Sequence, residues 1–291
     1  MSSTADKTYL ELLARILATG ERRATRNGET ISTFGERIVF PDVAVEFPLL
    51  TTKRVYWKGV VEELLWFLAG SSDVSALRAR GVHIWDGNST RTYLDGLGLT
   101  AYSEHEEGGP IYGFQWRHFG AQYVDCHTDY TGQGVDQIAW IINEIRTNPA
   151  SRRILLSAWN PPQLGAMILP PCHFSYQFYV NGGRLDCQMN MRSCDVFLGL
   201  PFNIASTAAL MHLIAAICGL VPRKLVVVMG DTHIYAEHVD AVKEQAMREA
   251  RAAPTLKIVG TLPDNLYGLT PDNFALEGYN PHATIKAPMA A

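Results

Sequence analysis

The five cysteines (Cys126, Cys172, Cys187, Cys194 and Cys218) include no CxxC pair, and their number is odd. A disulfide framework or a cysteine-rich zinc site is therefore not expected, and a reducing, cytoplasmic compartment is. GxGxxG and GxxxxGK[ST] are both missing, which removes the Rossmann fingerprint and the P-loop. His233, Glu237 and His238 are close in sequence, but their spacing is not HExxH and no further ligand cluster joins them, so no metal is expected. The first residues, MSSTADKTYLELL, carry no apolar core behind a basic region and do not read as a secretory signal. Basic excess is also lacking: 25 Lys and Arg stand against 29 Asp and Glu, for a net charge of −4. No global field recruits nucleic acid, and an anionic ligand must be held by a local basic cluster. Internal repeats, low-complexity linkers and long charge runs are absent as well.

What remains is ordinary globular material. The chain has 291 residues, 47% hydrophobic and 19% charged, enough for one large domain or two small ones. Residues 196–222 carry no charged side chain, but Gly199, Pro201, Asn203, His212 and Gly219 interrupt the run. A buried core helix is expected there, not a membrane span. Apolar spacing predicts helices over 9–17, 56–68, 135–145, 201–218 and 234–252. Strand patterns occupy pieces of 30–47, then 153–159, 174–180, 184–191 and 224–229. Asn181-Gly182-Gly183 between two of these signals a hairpin. Loops with a short helix are expected over 87–109, and loop with an edge strand over 271–291. Hairpins mixed with helices argue for an α/β fold of the α+β type.

The sharpest local feature is Leu169-Pro170-Pro171-Cys172-His173. Two prolines fix the backbone before a cysteine, whose thiolate would be a strong nucleophile if cations stood nearby. A small core hydrophobe is the plainer alternative. His173 is not thereby the base, since strand neighbours point to opposite faces. Arg152-Arg153 before a strand, Arg192-Ser193 at the end of another, and Arg26 suggest one anion site, because guanidinium forks suit phosphate. Asn203 stands in apolar surroundings near a helix start. It is either a cap or an amide offering one donor and one acceptor, which matches the O4 and N3–H edge of uracil. His233 and Tyr235, two apart on an extended segment, share a face and could bind a hydroxyl together.

These segments, together with Phe47–Arg54, Glu63–Phe67, Tyr112–Phe119, Arg192–Ser206 and Gly230–Tyr235, resemble the thymidylate synthase family over nearly the whole chain. The resemblance implies a single domain over 1–291 with one large mixed sheet covered by helices. It also implies sheets packed face to face in an obligate homodimer. The implied substrates are dUMP and 5,10-methylenetetrahydrofolate, with no metal, membrane or nucleic acid required. By resemblance Cys172 adds to C6 of the pyrimidine, while Arg26, Arg192 and Ser193 hold its phosphate. Arg152 and Arg153 reach the partner subunit's phosphate. Asn203 reads the uracil, His233 and Tyr235 bind the sugar hydroxyl, and Asp195 contacts the pterin. Glu63 organises water and proton transfer, Tyr112 stands near C5, Gln115 and His118 complete its surroundings, and His173, Arg192 and Asp195 count with the catalytic residues. Trp85, Asn88, Leu198, Gly199, Phe202 and the tail to Ala291 line the folate side.

The chemistry implied is methylation: thiol addition at C6 activates C5, folate supplies a one-carbon unit and then a hydride, and dTMP and dihydrofolate leave. A dUMP hydroxymethylase, in which water captures the one-carbon unit instead of hydride, is the nearest alternative. A silent nucleotide- or RNA-binding homologue is a further one. Asn203 favours uracil over cytosine in either enzyme. The chain departs from the family pattern at Met191, Asn190 and Thr207, and at Ala291. The Arg26-Asn27-Gly28-Glu29-Thr30 loop is one residue shorter than usual, and Glu29 brings a negative charge to it. Loss of an amide at Met191 predicts altered nucleotide binding with activity retained.

Overall fold

The structure is a computed structural model that describes residues 2–289; Met1, Ala290 and Ala291 lie outside the described residues. Helix α1 (Thr4–Thr19) starts on Ser3, whose hydroxyl accepts from the Asp6 amide at 3.1 Å. Its Tyr9, Leu12, Leu13 and Ile16 recur at helical spacing and are buried. A hairpin of β1 (Glu21–Thr25) and β2 (Gly28–Phe40) follows, then α2 (Trp57–Leu68), α3 (Val74–Ala79), α4 (Arg91–Gly96), α5 (Tyr112–His118) and α6 (Gln137–Thr147). Next come β3 (Leu155–Ser157), β4 (His173–Asn181), β5 (Arg184–Asp195), α7 (Gly199–Cys218), β6 (Val221–Tyr235) and α8 (Val239–Ala246). A separate antiparallel pair, β7 (Thr255–Ile258) and β8 (Phe274–Glu277), closes the chain.

The main sheet runs β1-β2-β6-β5-β4-β3. Only β5 and β6 are parallel, so the sheet is mixed, as expected. Helix α7 makes the crossover between the parallel pair. The β4–β5 turn is Gly182-Gly183, both at positive φ (57° and 73°), which a two-residue hairpin loop demands and glycine supplies. Along β5, Cys187, Met189 and Met191 are buried, and the Thr207 hydroxyl on α7 lies 3.1 Å from the Met189 sulfur. The alternate residues, Gln188 and Asn190, point to the other face. In register with them stand Gln177 and Ser175 on β4 and Val226 and Val228 on β6. One face of the sheet thus carries α7, and the other presents a mixed polar and apolar row.

Helix α7 is apolar on nearly every face because most of it is buried: 72% of its most apolar window is inside the fold. It is the one helix among the described residues long and apolar enough to cross a membrane, and its role here is core. It ends at Gly219, in the left-handed conformation at φ 68°.

One expected helix needs correction, and one strand was missed. The helix predicted over 234–252 is only Val239–Ala246, because β6 stays extended to Tyr235, paired with Thr30 of β2. Beyond Ala246 tertiary bonds claim the backbone and side chains: Arg248 donates to the Thr52 and Ala283 carbonyls, and the Arg251 amide to the Thr51 hydroxyl. Strand β1 was not foreseen, since all five of its residues are exposed and no apolar alternation marks it.

Candidate functional site

Cys172 stands where the chain enters β4. Its amide donates to the Tyr112 hydroxyl at 2.7 Å, and its carbonyl accepts from the Arg192 amide at 2.9 Å. The Arg192 guanidinium folds back on the same segment: Nε donates to the Pro171 carbonyl at 2.9 Å and Nη2 to the Pro170 carbonyl at 2.6 Å. This leaves Nη2 at 3.9 Å from the Cys172 sulfur. The two prolines thus present carbonyls that dock an arginine against the thiol. Burial pushes the thiol up from its ordinary value, while the Arg192 and Arg26 charges and the Tyr112 hydroxyl pull it down.

Tyr112 lies on α5, its phenol kept protonated by burial. The His173 ring stacks on it at 4.3 Å and hydrogen-bonds Tyr176 through Nδ1. Burial drives the imidazole down to about 3, so it stays neutral. His173 makes no hydrogen bond to the sulfur among the described residues; it supports Tyr112 instead. On α2, Glu63 accepts from the Trp85 indole at 2.8 Å, and burial raises its carboxyl to about 7. The Trp85 ring meets Tyr112 edge-on at 6.2 Å. A neutral-range acid, an indole, a phenol and a thiol therefore form one connected wall.

The β5–α7 turn stands near this wall, since the Asp195 charge acts on Cys172. Asp195 Oδ1 accepts from the Phe197 and Leu198 amides at 3.0 and 3.2 Å, and Oδ2 has no partner among the described residues. A Cβ added to Gly199 would stand 3.7 Å from Asp195 Cβ and 3.8 Å from Asn203 Oδ1, so these three line up. Asn203 sits in the second turn of α7 and is not its cap; Leu198 occupies that position. The Asn203 amide makes no hydrogen bond within the described fold. Phe202 is half-buried beside Gly59. Asn88, in a short 3-10 turn, is half-buried two positions along from Asp86.

Parallel pairing of β5 with β6 sets Asp195 beside His233 and Ser193 beside Asp231. The His233 and Tyr235 rings meet edge-on at 5.2 Å, on the extended segment expected. Asp231 Oδ1 holds His233 Nδ1 at 2.9 Å, and Oδ2 accepts from Arg23 at 2.6 Å. Arg26 tops the β1–β2 turn, exposed, and its charge acts on both Cys172 and Tyr235. Glu29 pairs with Arg22 across that hairpin, not with Arg26.

Arg152 and Arg153 are exposed, and Arg152 lines a groove with Gln177, Tyr179, Gln188 and Val226 on the open face of the sheet. Gln115 lies elsewhere, in an amide network with Asn160 and Gln163. His118 packs on Phe114 and Tyr130 and meets the Gln133 carbonyl. Neither hydrogen-bonds Tyr112 or stacks on it. Met191 is buried, and Asn190 bonds Ser175 on the open face. Ala291 lies outside the described residues. Tyr9, Lys53 and Asp231 were not singled out in the sequence. Only an HxY-flanking acid hinted at Asp231, and nothing local marks the other two.

Residues 7–291 match the family described as thymidylate synthase. The chain belongs to the thymidylate synthase family. It is 50% identical to the thymidylate synthase of equine herpesvirus 2 over 291 residues, all of both chains. It is 50% identical to human thymidylate synthase over 285 residues, 97% of this chain and 90% of that one. Identity to bifunctional dihydrofolate reductase-thymidylate synthase 2 of Arabidopsis thaliana is 51%, over 97% of this chain but 50% of that protein. The chain spans about half the length of such bifunctional relatives. Thymidylate synthases are methyltransferases, and the six-stranded mixed sheet under helices agrees with their fold.

Proposed function

We propose that this thymidylate synthase family member converts dUMP to dTMP through a covalent bond from the Cys172 sulfur to C6 of the pyrimidine. The observation that carries the reading is the Cys172 thiol, set 3.9 Å from Arg192 under the Tyr112 hydroxyl and within reach of the Asp195 charge. Arg192 and Ser193, with Arg26 from the hairpin, hold the phosphate. The Arg192 and Arg26 charges also favour the Cys172 thiolate. Asn203 pairs with the uracil edge, and His233, oriented by Asp231, acts with Tyr235 on the sugar hydroxyl. Addition of sulfur to C6 places negative charge on C5 and O4. Once C5 has bonded the one-carbon unit, water held by Glu63, whose carboxyl burial raises to about 7, takes the C5 proton, and the protonated Tyr112 hydroxyl orients that water.

The co-substrate is methylenetetrahydrofolate, and the residues present fit it. Asp195 Oδ2 is unpartnered beside the bare Gly199 backbone, with the half-buried Phe202 ring three residues further along α7. Asp195, Leu198, Gly199, Phe202, Trp85 and Asn88 would hold it. When bound, it supplies the one-carbon unit and the hydride.

Residues 1–291 act as one catalytic domain in a homodimer, the open sheet face packing on its copy and Arg152 and Arg153 serving the partner's phosphate. The uncovered row of Gln177, Tyr179, Gln188 and Val226 and the position of Arg152 beside it support this. Five free thiols suit a cytoplasmic setting. The test is incubation with dUMP and methylenetetrahydrofolate, following dihydrofolate absorbance and nucleotide mass. Dihydrofolate and dTMP in equal amounts are expected. Hydroxymethyl-dUMP without dihydrofolate would sink the reading.

A further inference from the structure

The turn 196–198 joins β5 to α7 just past the last β5–β6 pair, Asp195 with His233; the Val196 amide still donates to the His233 carbonyl at 3.0 Å, but the carbonyls of the turn are held by distant side chains. The Tyr9 hydroxyl donates to the Val196 carbonyl at 2.8 Å. The Lys53 ammonium donates to the Phe197 carbonyl and stands 3.4 Å over the centre of the Phe197 ring. Tyr9 is wholly buried and Lys53 is 5% exposed, so neither contact is a surface accident. Burial brings Lys53 down to about 7, with the Asp195 carboxylate the charge that holds it up, so the two groups sense each other.

Both tethers trace back to α1. Asp6 and Tyr9 are three residues apart and share a helix face. The Asp6 carboxylate accepts from the amides and hydroxyls of both Thr51 and Thr52, at 2.7–3.0 Å, and so fixes the segment from which Lys53 projects. Cys172 and Arg192 are supported separately, by the β4–β5 pairing and the Arg192 amide bond to the Cys172 carbonyl; of the nucleotide side only His233 touches the turn, through its carbonyl and the Val196 amide.

We infer that Tyr9 and Lys53 are positioning residues for the folate side: they fix the 196–198 turn and so aim the Asp195 carboxylate and the first turn of α7. Rotation of either tethered peptide would move the Phe197 and Leu198 amides that hold the Asp195 carboxylate, while leaving Cys172 and Arg192 in place. The consequence is an asymmetry between the two substrates. The inference rests on the function proposed above.

Tyr9→Phe isolates it, because Tyr9 has no exposed surface with which to touch a substrate. In steady-state assays of the full chain, Tyr9→Phe and Lys53→Met are expected to raise the folate KM by about tenfold, with the dUMP KM within about twofold of wild type. Leu13→Ala, in the same helix and buried but without a bond to the turn, is expected to lower Tm and leave both KM values unchanged. An unchanged folate KM in Tyr9→Phe, or an equal rise in Leu13→Ala, would overturn the inference while the wild type still turns over. Absence of dTMP from the wild-type reaction would sink the functional reading, and this inference with it.

Discussion

Arg192 shows how one side chain can serve two ends. Two of its nitrogens are fixed by the Pro170 and Pro171 carbonyls, and one of these still reaches the Cys172 sulfur. Its charge counters the burial that raises the thiol. Arg192→Gln should therefore move the pH profile of iodoacetamide alkylation at Cys172 upward by on the order of one unit. Peptide mass spectrometry separates this thiol from the other four, and an unmoved profile would contradict the electrostatic account. Glu63 gives a second prediction, on stability. Its carboxyl is held near 7 in the fold, above its ordinary 4.5, so the native state keeps a proton that the unfolded chain releases. Stability from this group is full below about 4.5 and is lost as pH rises through about 7. Glu63→Gln keeps an acceptor for the Trp85 indole and removes the charge. It should gain up to about 3 kcal/mol over wild type at pH 8 and little at pH 4.5, read as Tm, while turnover collapses. At this scale the sequence was readable where a residue type is itself unusual, as at Cys172 behind two prolines or Asn203 among apolar neighbours. It was silent where identity depends on distant contacts. Lys53 lies 144 positions from its acceptor and Tyr9 lies 187 from its own. His173, beside the thiol in sequence, turns out to support Tyr112.

Elements were legible in proportion to how much of their order is local. The period of α1, the two glycines of the β4–β5 turn and the charge-free α7 each carry their own signal. Strand β1 and the early end of α8 carry none, because pairing with β2 in one case and bonds to Thr51, Thr52 and Ala283 in the other decide them. Helix α6 was expected from its apolar period, but its start depends on a tertiary pair. Asp136 caps it, accepting from the Ala139 amide at 2.9 Å, and the same carboxylate meets the Arg117 guanidinium at 3.1 Å. The Arg117 side chain has no exposed surface, and its other donors go to the Leu68 and Asn265 carbonyls. Asp136→Ala removes a cap and leaves a buried cation without its counter-charge. The expected loss is about 2–4 kcal/mol in urea unfolding, more than a cap alone would cost. Asp136→Asn keeps the cap but not the charge and should fall between the two. A loss under about 1 kcal/mol for the alanine variant would mean that the carbonyls alone satisfy Arg117.

At the scale of the molecule, the six-stranded sheet divides the labour. One face packs on α7 and carries Met189 and Met191 inward. The other carries Gln188, Asn190, Gln177 and Val226, with Arg152 at its margin and no ion-pair partner for Arg152 or Arg153 among the described residues. If the proposed dimer shares its sites across this face, each site needs Cys172 from one chain and the two arginines from the other. Cys172→Ala homodimers and Arg152→Ala/Arg153→Ala homodimers would then both be poorly active. Mixed by unfolding and refolding at equal amounts, half of the dimers are hybrids. In each hybrid one site has lost both contributions and the other has kept both. About a quarter of all sites should therefore recover full activity, a return that no monomer with self-contained sites can give. Refolding each variant alone controls for the procedure, and a mixture no more active than the mean of the two parents would place Arg152 and Arg153 outside the partner's site.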